Sequence, residues 1–490
     1  MKKLIKGVVK TGSGAVGNML IGMVSIKIMA VMLGPAGTGL FSLIRQLVFT
    51  LASLGAGGQT ALVQGIASRD GVERDSYVRS VFWLFVLAAT ISLVTIELFA
   101  PSIAMLVFGE STSEFVYLVR WIALPVVLMH AYIYLKGVLN GYRAIGRLAL
   151  IEMVGPLITL LLVYPVCISV GQGYALAFVL MLSAAQFMMI VVSMATLHKQ
   201  GWLPTLLIAR TIIVERSDFR YFITISGTIF LTSLIATGVL LAVRALIVKN
   251  NGLTDAGMFD VAWSLSGSYV MLILASFGTY YAPTLRQTVA IAERTALIRR
   301  VLRLSIMLMI PLIVSVVVLK PMLVRLLYSS EYLASLEIVR WMLIGDYLKV
   351  TSWVLAITVI VNADMRIYFW TEAFWNLGFL MLAGLSMLYF NEIQGIGIAF
   401  IVMYACLVIY YLQYVRRVYE LVINRDLLLP WLIGFFVVIT ASLQNWNRSS
   451  VDWPSAVTWI IASFVLVIVL LKKAERVFIF SKLRLKLKVK

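Results

Sequence analysis

Seven cations lie in or beside long apolar runs of this 490-residue chain: Lys27, Arg45, Arg120, Lys136, Arg244, Arg340 and Lys349. Carboxylates share that setting at Glu97, Glu152, Asp260, Asp346 and Glu372, with Glu337 near the end of a run. A charge at the centre of a bilayer costs about 2.5–3.5 kcal/mol on insertion scales, so each of these residues needs a partner, an interface or a function. The chemistry open to them is electrostatic. Arg offers forked donors and Lys a point charge, both suited to phosphate, and intramembrane carboxylates can hold a coupling proton or cation. Covalent and metal chemistry is poorly supplied: the histidines are His130 and His198, and no His/Cys cluster or P-loop signature is present. Cys167 and Cys406 sit in apolar stretches and read as buried thiols.

Not every charge calls for a ligand. Arg120, Arg340 and Lys136 lie near the ends of their runs, where snorkelling to the interface suffices. Asp346 and Lys349, spaced i and i+3, can neutralise each other on one helix face. Asp260 can pair with an arginine or bind a coupling ion. Glu97 and Glu152 are either protonated packing residues or proton carriers. Lys27 and Arg244 are different, because neither is at an unambiguous end. Arg45 is six residues into its run, about 9 Å down at 1.5 Å per residue. Gln46 and Gln59 add polarity beside it, and Gly55, Gly57 and Gly58 loosen the helix. Lys27, Arg45 and Arg244 are therefore assigned to a shared cationic cavity for an anion. Trp263, Tyr269, Tyr280 and Tyr281 fit an interface belt or packing better than sugar stacking.

The elements that position these charges follow from composition. The chain is 62% hydrophobic and 13% charged, with a mean hydropathy of +0.99, against about half apolar and a quarter charged in a soluble domain. A single soluble core stops growing near roughly 250–300 residues and cannot hide this excess. An ordinary cytosolic enzyme, a disordered tail and a disulfide scaffold are excluded, and nucleic-acid binding suits the +19 net charge but not the hydropathy. The fold class is an all-α polytopic membrane protein with about fourteen transmembrane helices. The apolar runs fall at 13–34, 39–66, 80–108, 116–139, 147–169, 173–197, 219–248, 257–282, 301–320, 335–361, 367–390, 394–415, 427–444 and 454–471. With the N-terminus inside, cytoplasmic segments carry thirty Lys and Arg against four in the opposite loops, which places both termini in the cytoplasm. Met1 to Lys10 has the charge of a signal-peptide start, but Lys27 and the lack of a small-residue cleavage site point to a retained first helix.

The second half echoes the first. Gly39-Leu40-Phe41 returns as Gly257-Met258-Phe259, and Val119-Arg120-Trp121 returns as Val339-Arg340-Trp341 at nearly the same offset. Lys27 then aligns with Arg244. Six runs separate the copies, so both halves cross in the same sense, the parallel-repeat arrangement that handles substrate at the repeat interface. The expected divisions are an N-lobe over 1–198, a linker over 199–218, a C-lobe over 219–415, two further helices within 416–471 and a basic tail over 472–490. Leu203, Leu206, Leu207, Arg210, Ile212, Ile213 and Arg216 make the linker an interfacial amphipathic segment. The tail is suited to anionic lipid. A cationic cavity in a two-lobed carrier suits a large anion such as a sugar-bearing lipid pyrophosphate, whose tail stays in lipid. Moving negative charge outward across an inside-negative membrane gains about 2.3 kcal/mol per charge per 100 mV, so the potential alone can bias export.

Specific segments carry a resemblance to a known family. They are Leu33-Gly34-Pro35-Ala36-Gly37-Thr38-Gly39-Leu40 with Arg45-Gln46-Leu47, Ala275-Ser276-Phe277 with Pro283-Thr284-Leu285, and Gly345-Asp346-Tyr347-Leu348-Lys349-Val350. Arg366-Ile367-Tyr368 with Glu372, and Lys136-Gly137 with Arg143, complete them. Over about residues 10–415 the chain resembles the Wzx-type lipid-linked oligosaccharide flippases of the MOP exporter superfamily. Within them it is most similar to the translocases of enterobacterial common antigen, which carry lipid III. The resemblance implies a V-shaped two-lobe fold like that of MATE transporters, alternating access, and an undecaprenyl-pyrophosphate oligosaccharide cargo for O-antigen or a related surface polysaccharide. It implies no cofactor, coupling to membrane potential, proton or sodium, and a monomer in the bacterial inner membrane. Membrane lipids, a polysaccharide polymerase and chain-length proteins are the expected partners. Lys27, Arg45 and Arg244 fall where family members also carry cations. Asp346, Lys349, Arg366 and Glu372 match the pattern in supporting positions, whereas Asp260, Glu97 and Glu152 lie outside it. Three other functions share the hydropathy: a cation-coupled drug antiporter, which needs carboxylates to dominate the cavity, a lipid II flippase, which differs in cargo, and a membrane-embedded transferase, which lacks its His/Asp motif.

Overall fold

Inside a bilayer each backbone N–H and C=O must be satisfied within the protein, and apolar segments of about 20 residues achieve this as helices. The computed structural model describes residues 2–202, 216–390 and 392–471, which hold fourteen α-helices and no strand. They are α1 (Lys2–Ala67), α2 (Gly71–Phe108), α3 (Ser113–Trp121), α4 (Ala123–Gly141), α5 (Ile145–Gly171), α6 (Leu176–Lys199) and α7 (Arg216–Asn251). Then follow α8 (Leu253–Gln287), α9 (Ile291–Leu327), α10 (Leu336–Val361), α11 (Met365–Phe390), α12 (Gln394–Tyr419), α13 (Arg425–Gln444) and α14 (Trp453–Leu470). Twelve stretches among the described residues are long and apolar enough to cross a membrane. One of them, Gly17–Ala67, has 51 residues and would reach about 75 Å if straight, more than twice a bilayer core. It breaks at Gly34, whose φ of 63° is in the left-handed region, with Pro35 behind it. The first two apolar runs thus lie on either side of one kink, and α3 with α4 share the run at 116–139. The interfacial stretch expected from Leu203 to Ile213 and the basic tail from Lys472 lie outside the described residues.

The chain packs as two compact units, Met1–Asp260 with Leu327–Glu331 and Glu372–Asn391, and Val261–Leu326 with Tyr332–Thr371 and Glu392–Lys490. Packing does not divide the chain where the repeat does, because α7 is built onto α1 in the first unit. Gln46 Nε2 and Thr50 Oγ1 both donate to the Thr237 carbonyl, at 2.9 and 3.1 Å. At the other end of α7, Arg69 pairs with Asp218 at 3.4 Å and lies between the Tyr77 and Tyr221 rings, 4.2 and 4.5 Å from their centroids.

The repeat also appears as a shared turn. Arg143, after α4, and Ala363, after α10, both have φ of 57°. Each donates its N–H three residues back, to Asn140 and Ile360, and the next residue donates five back, to Leu139 and Val359. A non-glycine residue in the left-handed region is uncommon. Two such turns, spaced as Arg120 is from Arg340, extend the three short sequence matches.

In the second unit, α9 holds the last two helices by their ends. Arg303 donates to the Asp426 carbonyl at 2.7 Å and to the Leu470 carbonyl at 2.6 Å, and Lys320 donates to the Asn445 carbonyl at 2.9 Å. Leu470 closes α14 and Asn445 caps α13, so two of the three acceptors are the carbonyls a helix leaves unsatisfied at its negative end. Arg303 and Lys320, two of the loop cations in the thirty-to-four count, are thus buried structural donors, 8% and 1% exposed. Arg303→Ala leaves two part-buried carbonyls without that donor and is expected to cost about 1–3 kcal/mol. Its melting temperature in detergent should fall below that of wild type, with Arg303→Lys in between.

Candidate anion site

The site is assembled from the arms of two kinks. Gly34 breaks α1, and Gly252, φ 89°, separates α7 from α8 at the equivalent place in the repeat. Lys27 precedes its glycine by seven residues and Arg244 by eight, while Arg45 follows by eleven and Asp260 by eight. At 1.5 Å per residue all four lie about 10–17 Å from the turns. The arms cross close by. A Cβ on Gly39 would sit 2.1 Å from the Leu253 carbonyl oxygen, and one on Gly257 would sit 2.1 Å from that of Pro35. Each glycine thus meets the carbonyl four residues before the other, a reciprocal contact that only a missing side chain permits.

Just inside this crossing, Arg244 Nη2 donates to Asp260 Oδ1 at 2.6 Å and its Nη1 to Gln46 Oε1 at 2.8 Å. Arg45 Nη2 approaches the same Asp260 oxygen at 3.6 Å. Two guanidiniums share one carboxylate, leaving a formal excess of one positive charge. The two arginines are not equivalent: the Arg244 side chain is 3% exposed and the Arg45 side chain 32%. Arg244 holds the site together, and Arg45 is the cation it presents. Lys27, on the other arm of α1, donates to the Tyr328 carbonyl.

The remaining charges settle elsewhere. Glu97 pairs with Arg120 at 3.7 Å and Glu152 with Lys136 at 2.6 Å, all four partly exposed. Each carboxylate thus meets a cation that the sequence places at an interface. Arg340 donates to Asn447 and Gln394 and lies 4.6 Å from the Trp446 ring centroid. Arg366 is exposed in the first turn of α11 and Glu372 is half-buried further along it.

Asp346 and Lys349 make no direct ion-pair contact, although each is the charge partner the other feels across one helix face. Asp346, fully buried, accepts from Ser266 Oγ and Tyr269 Oη, each at 2.5 Å. Lys349 Nζ lies 5.5 Å from the Phe400 ring centroid and 5.9 Å from that of Trp353. The i, i+3 spacing puts both side chains on one face, but the short carboxylate is met there by two hydroxyls from α8 and the longer amine extends past it to aromatic faces. Tyr269 is therefore a hydrogen-bond donor rather than a belt residue. The sequence signal for Ser266 is no more than its i, i+3 spacing to Tyr269.

A family model described as "Polysaccharide biosynthesis protein" matches residues 4–289. The chain belongs to this family. The match takes in Lys27, Arg45, Arg244 and Asp260, so the arginine–carboxylate cluster of this chain lies wholly inside the family region. It is 28% identical over 375 residues to the lipid III flippase of Escherichia coli (strain K12), covering 74% of this chain and 85% of that one. The lipid II flippase MurJ in an inward closed conformation shares its fold at a TM-score of 0.67, with 13% identity over 98% of this chain and 99% of that one. An inward-facing multidrug resistance MATE family transporter of the MOP superfamily does so at 0.64, with 13% identity, covering 82% and 95%. The all-α, polytopic architecture, with the fold these two transporters share, is thus established.

Proposed function

We propose that this protein is a flippase for undecaprenyl-pyrophosphate-linked oligosaccharide, moving its cargo from the cytoplasmic to the periplasmic leaflet by alternating access. The observation that carries the reading is Arg45, a partly exposed guanidinium held over a buried Arg244–Asp260–Gln46 base. A lipid pyrophosphate brings several acceptor oxygens and more than one negative charge, the match for such a group. The similarity to the lipid III flippase supports a lipid-linked saccharide as cargo. The thirty-to-four cation asymmetry supports an inner-membrane protein with both termini in the cytoplasm, with the membrane potential favouring outward movement of the anion. Lys27, seven residues before the Gly34 kink, would receive the same headgroup at another stage of the cycle. A surface-polysaccharide polymerase and chain-length proteins are the partners such an export route requires.

Depletion followed by mass spectrometry of polyprenyl-linked intermediates tests this directly. A sugar-bearing polyprenyl pyrophosphate is expected to accumulate several-fold. Accumulation of lipid II would redirect the reading to peptidoglycan, and an unchanged lipid pool on depletion, with resistance to cationic dyes gained on overexpression, would replace it with a drug antiporter.

A further inference from the structure

Asp260 occupies the place an anion would take. Its Oδ1 is held by Arg244 at 2.6 Å and approached by Arg45 at 3.6 Å. The first contact is short and buried, whereas the second is long and partly open, so the second is the weaker. Arg45 belongs to α1 and Asp260 to α8, the helices that touch through Gly39 and Gly257 one to two turns away. The Arg45–Asp260 pair is thus an ionic tie across that crossing.

We propose, resting on Arg45 as the pyrophosphate receptor, that Asp260 is an internal stand-in for the substrate anion. Entering pyrophosphate takes Arg45 from Asp260, Asp260 stays with Arg244, and the tie between α1 and α8 is released. Two adjacent guanidiniums with no anion between them would repel inside the membrane, and Asp260 lets the site rest empty. It also sets specificity. A lipid carboxylate brings one charge and offers Arg45 nothing beyond what Asp260 supplies, whereas a diphosphate brings more charge and more acceptors and wins the exchange. Asp260 is in this sense a positioning residue that discriminates headgroups and links occupancy to the crossing.

The test is binding of farnesyl pyrophosphate, with dodecanoate as the carboxylate competitor, to the full-length protein in detergent. D260N keeps the shape and an acceptor for Arg244 but removes the charge. It is expected to bind farnesyl pyrophosphate at least tenfold more tightly than wild type and to lose much of its preference over dodecanoate. Binding no tighter than wild type overturns the exchange. Equal binding by wild type and Arg45→Ala removes the site itself, and the proposal with it, a result distinguishable from the first. A second measurement leaves Asp260 in place. Ser42, buried on α1 between Gly39 and Arg45, is replaced by Cys in a chain carrying Cys167→Ser and Cys406→Ser. Farnesyl pyrophosphate is expected to speed maleimide labelling several-fold, and a rate unmoved at saturating ligand overturns release of the crossing.

Discussion

Arg45→Ala is expected to lose most of its export while the protein still inserts and folds. The side chain is a third exposed and its ion pair is long, so its removal leaves Asp260 on its shorter bond to Arg244. What is lost is the guanidinium offered to the headgroup, a charge-assisted contact worth about 1.5–3 kcal/mol and hence about 10–150-fold in transport. Flipping of a fluorescent polyprenyl-pyrophosphate saccharide in proteoliposomes measures it, alongside complementation of a depleted strain. Wild-type complementation would sink Arg45 as the receptor. Arg244→Ala should fail earlier, at folding. Removing it leaves the buried Asp260 carboxylate with only a 3.6 Å contact and Gln46 without its donor, a loss of about 3–5 kcal/mol for a broken buried pair. Low membrane abundance and an early melt are expected for Arg244→Ala and not for Arg45→Ala. That contrast separates the residue that meets the cargo from the one that holds the site.

The second large effect comes from the glycine crossing. A methyl group on Gly39 would lie 2.1 Å from the Leu253 oxygen, and one on Gly257 equally close to that of Pro35. Backbone cannot yield as a side-chain tip can, so α1 and α8 must part, an overpacking cost of about 1–3 kcal/mol or more. Gly39→Ala and Gly257→Ala are each expected to lower flipping about tenfold or more and to depress the melting temperature alike, because the contact is reciprocal. Gly238→Ala on α7 is the control: its Cβ enters open space, and replacing a helical glycine there should be neutral or stabilising. Activity in both crossing variants equal to that of Gly238→Ala would show that the two helices need not touch.

Much of this architecture was legible in the sequence. The runs read at 427–444 and 454–471 are the helices Arg425–Gln444 and Trp453–Leu470, because apolar length fixes a span wherever polar residues close it. Hydropathy failed where a helix continues past its apolar part. The run at 301–320 is only the middle of α9, Ile291–Leu327, whose first three turns carry Arg294, Arg299 and Arg300. The sequence singled out Arg45, Arg244, Asp260 and Gln46 one by one and aligned Lys27 with Arg244. It did not show that Arg244 spends both terminal nitrogens inside the protein, since Gln46 lies 198 residues away. Nor did it give Asp346 to Ser266 and Tyr269, because i, i+3 spacing along one helix says nothing about what a neighbouring helix brings to the same face.

The clamp on α13 and α14 sets a timetable for biogenesis. The carbonyls that receive Arg303 and Lys320 lie 123, 125 and 167 residues further along the chain. At a synthesis rate of about 5–20 residues per second, α9 waits roughly 6–30 s for them. During that interval it is a nascent helix with two cations whose acceptors are still to be made. A chain that stops before α13 never leaves that state, so the pair α13 and α14 acts as the checkpoint of this assembly, closing the clamp only once both helices have been made.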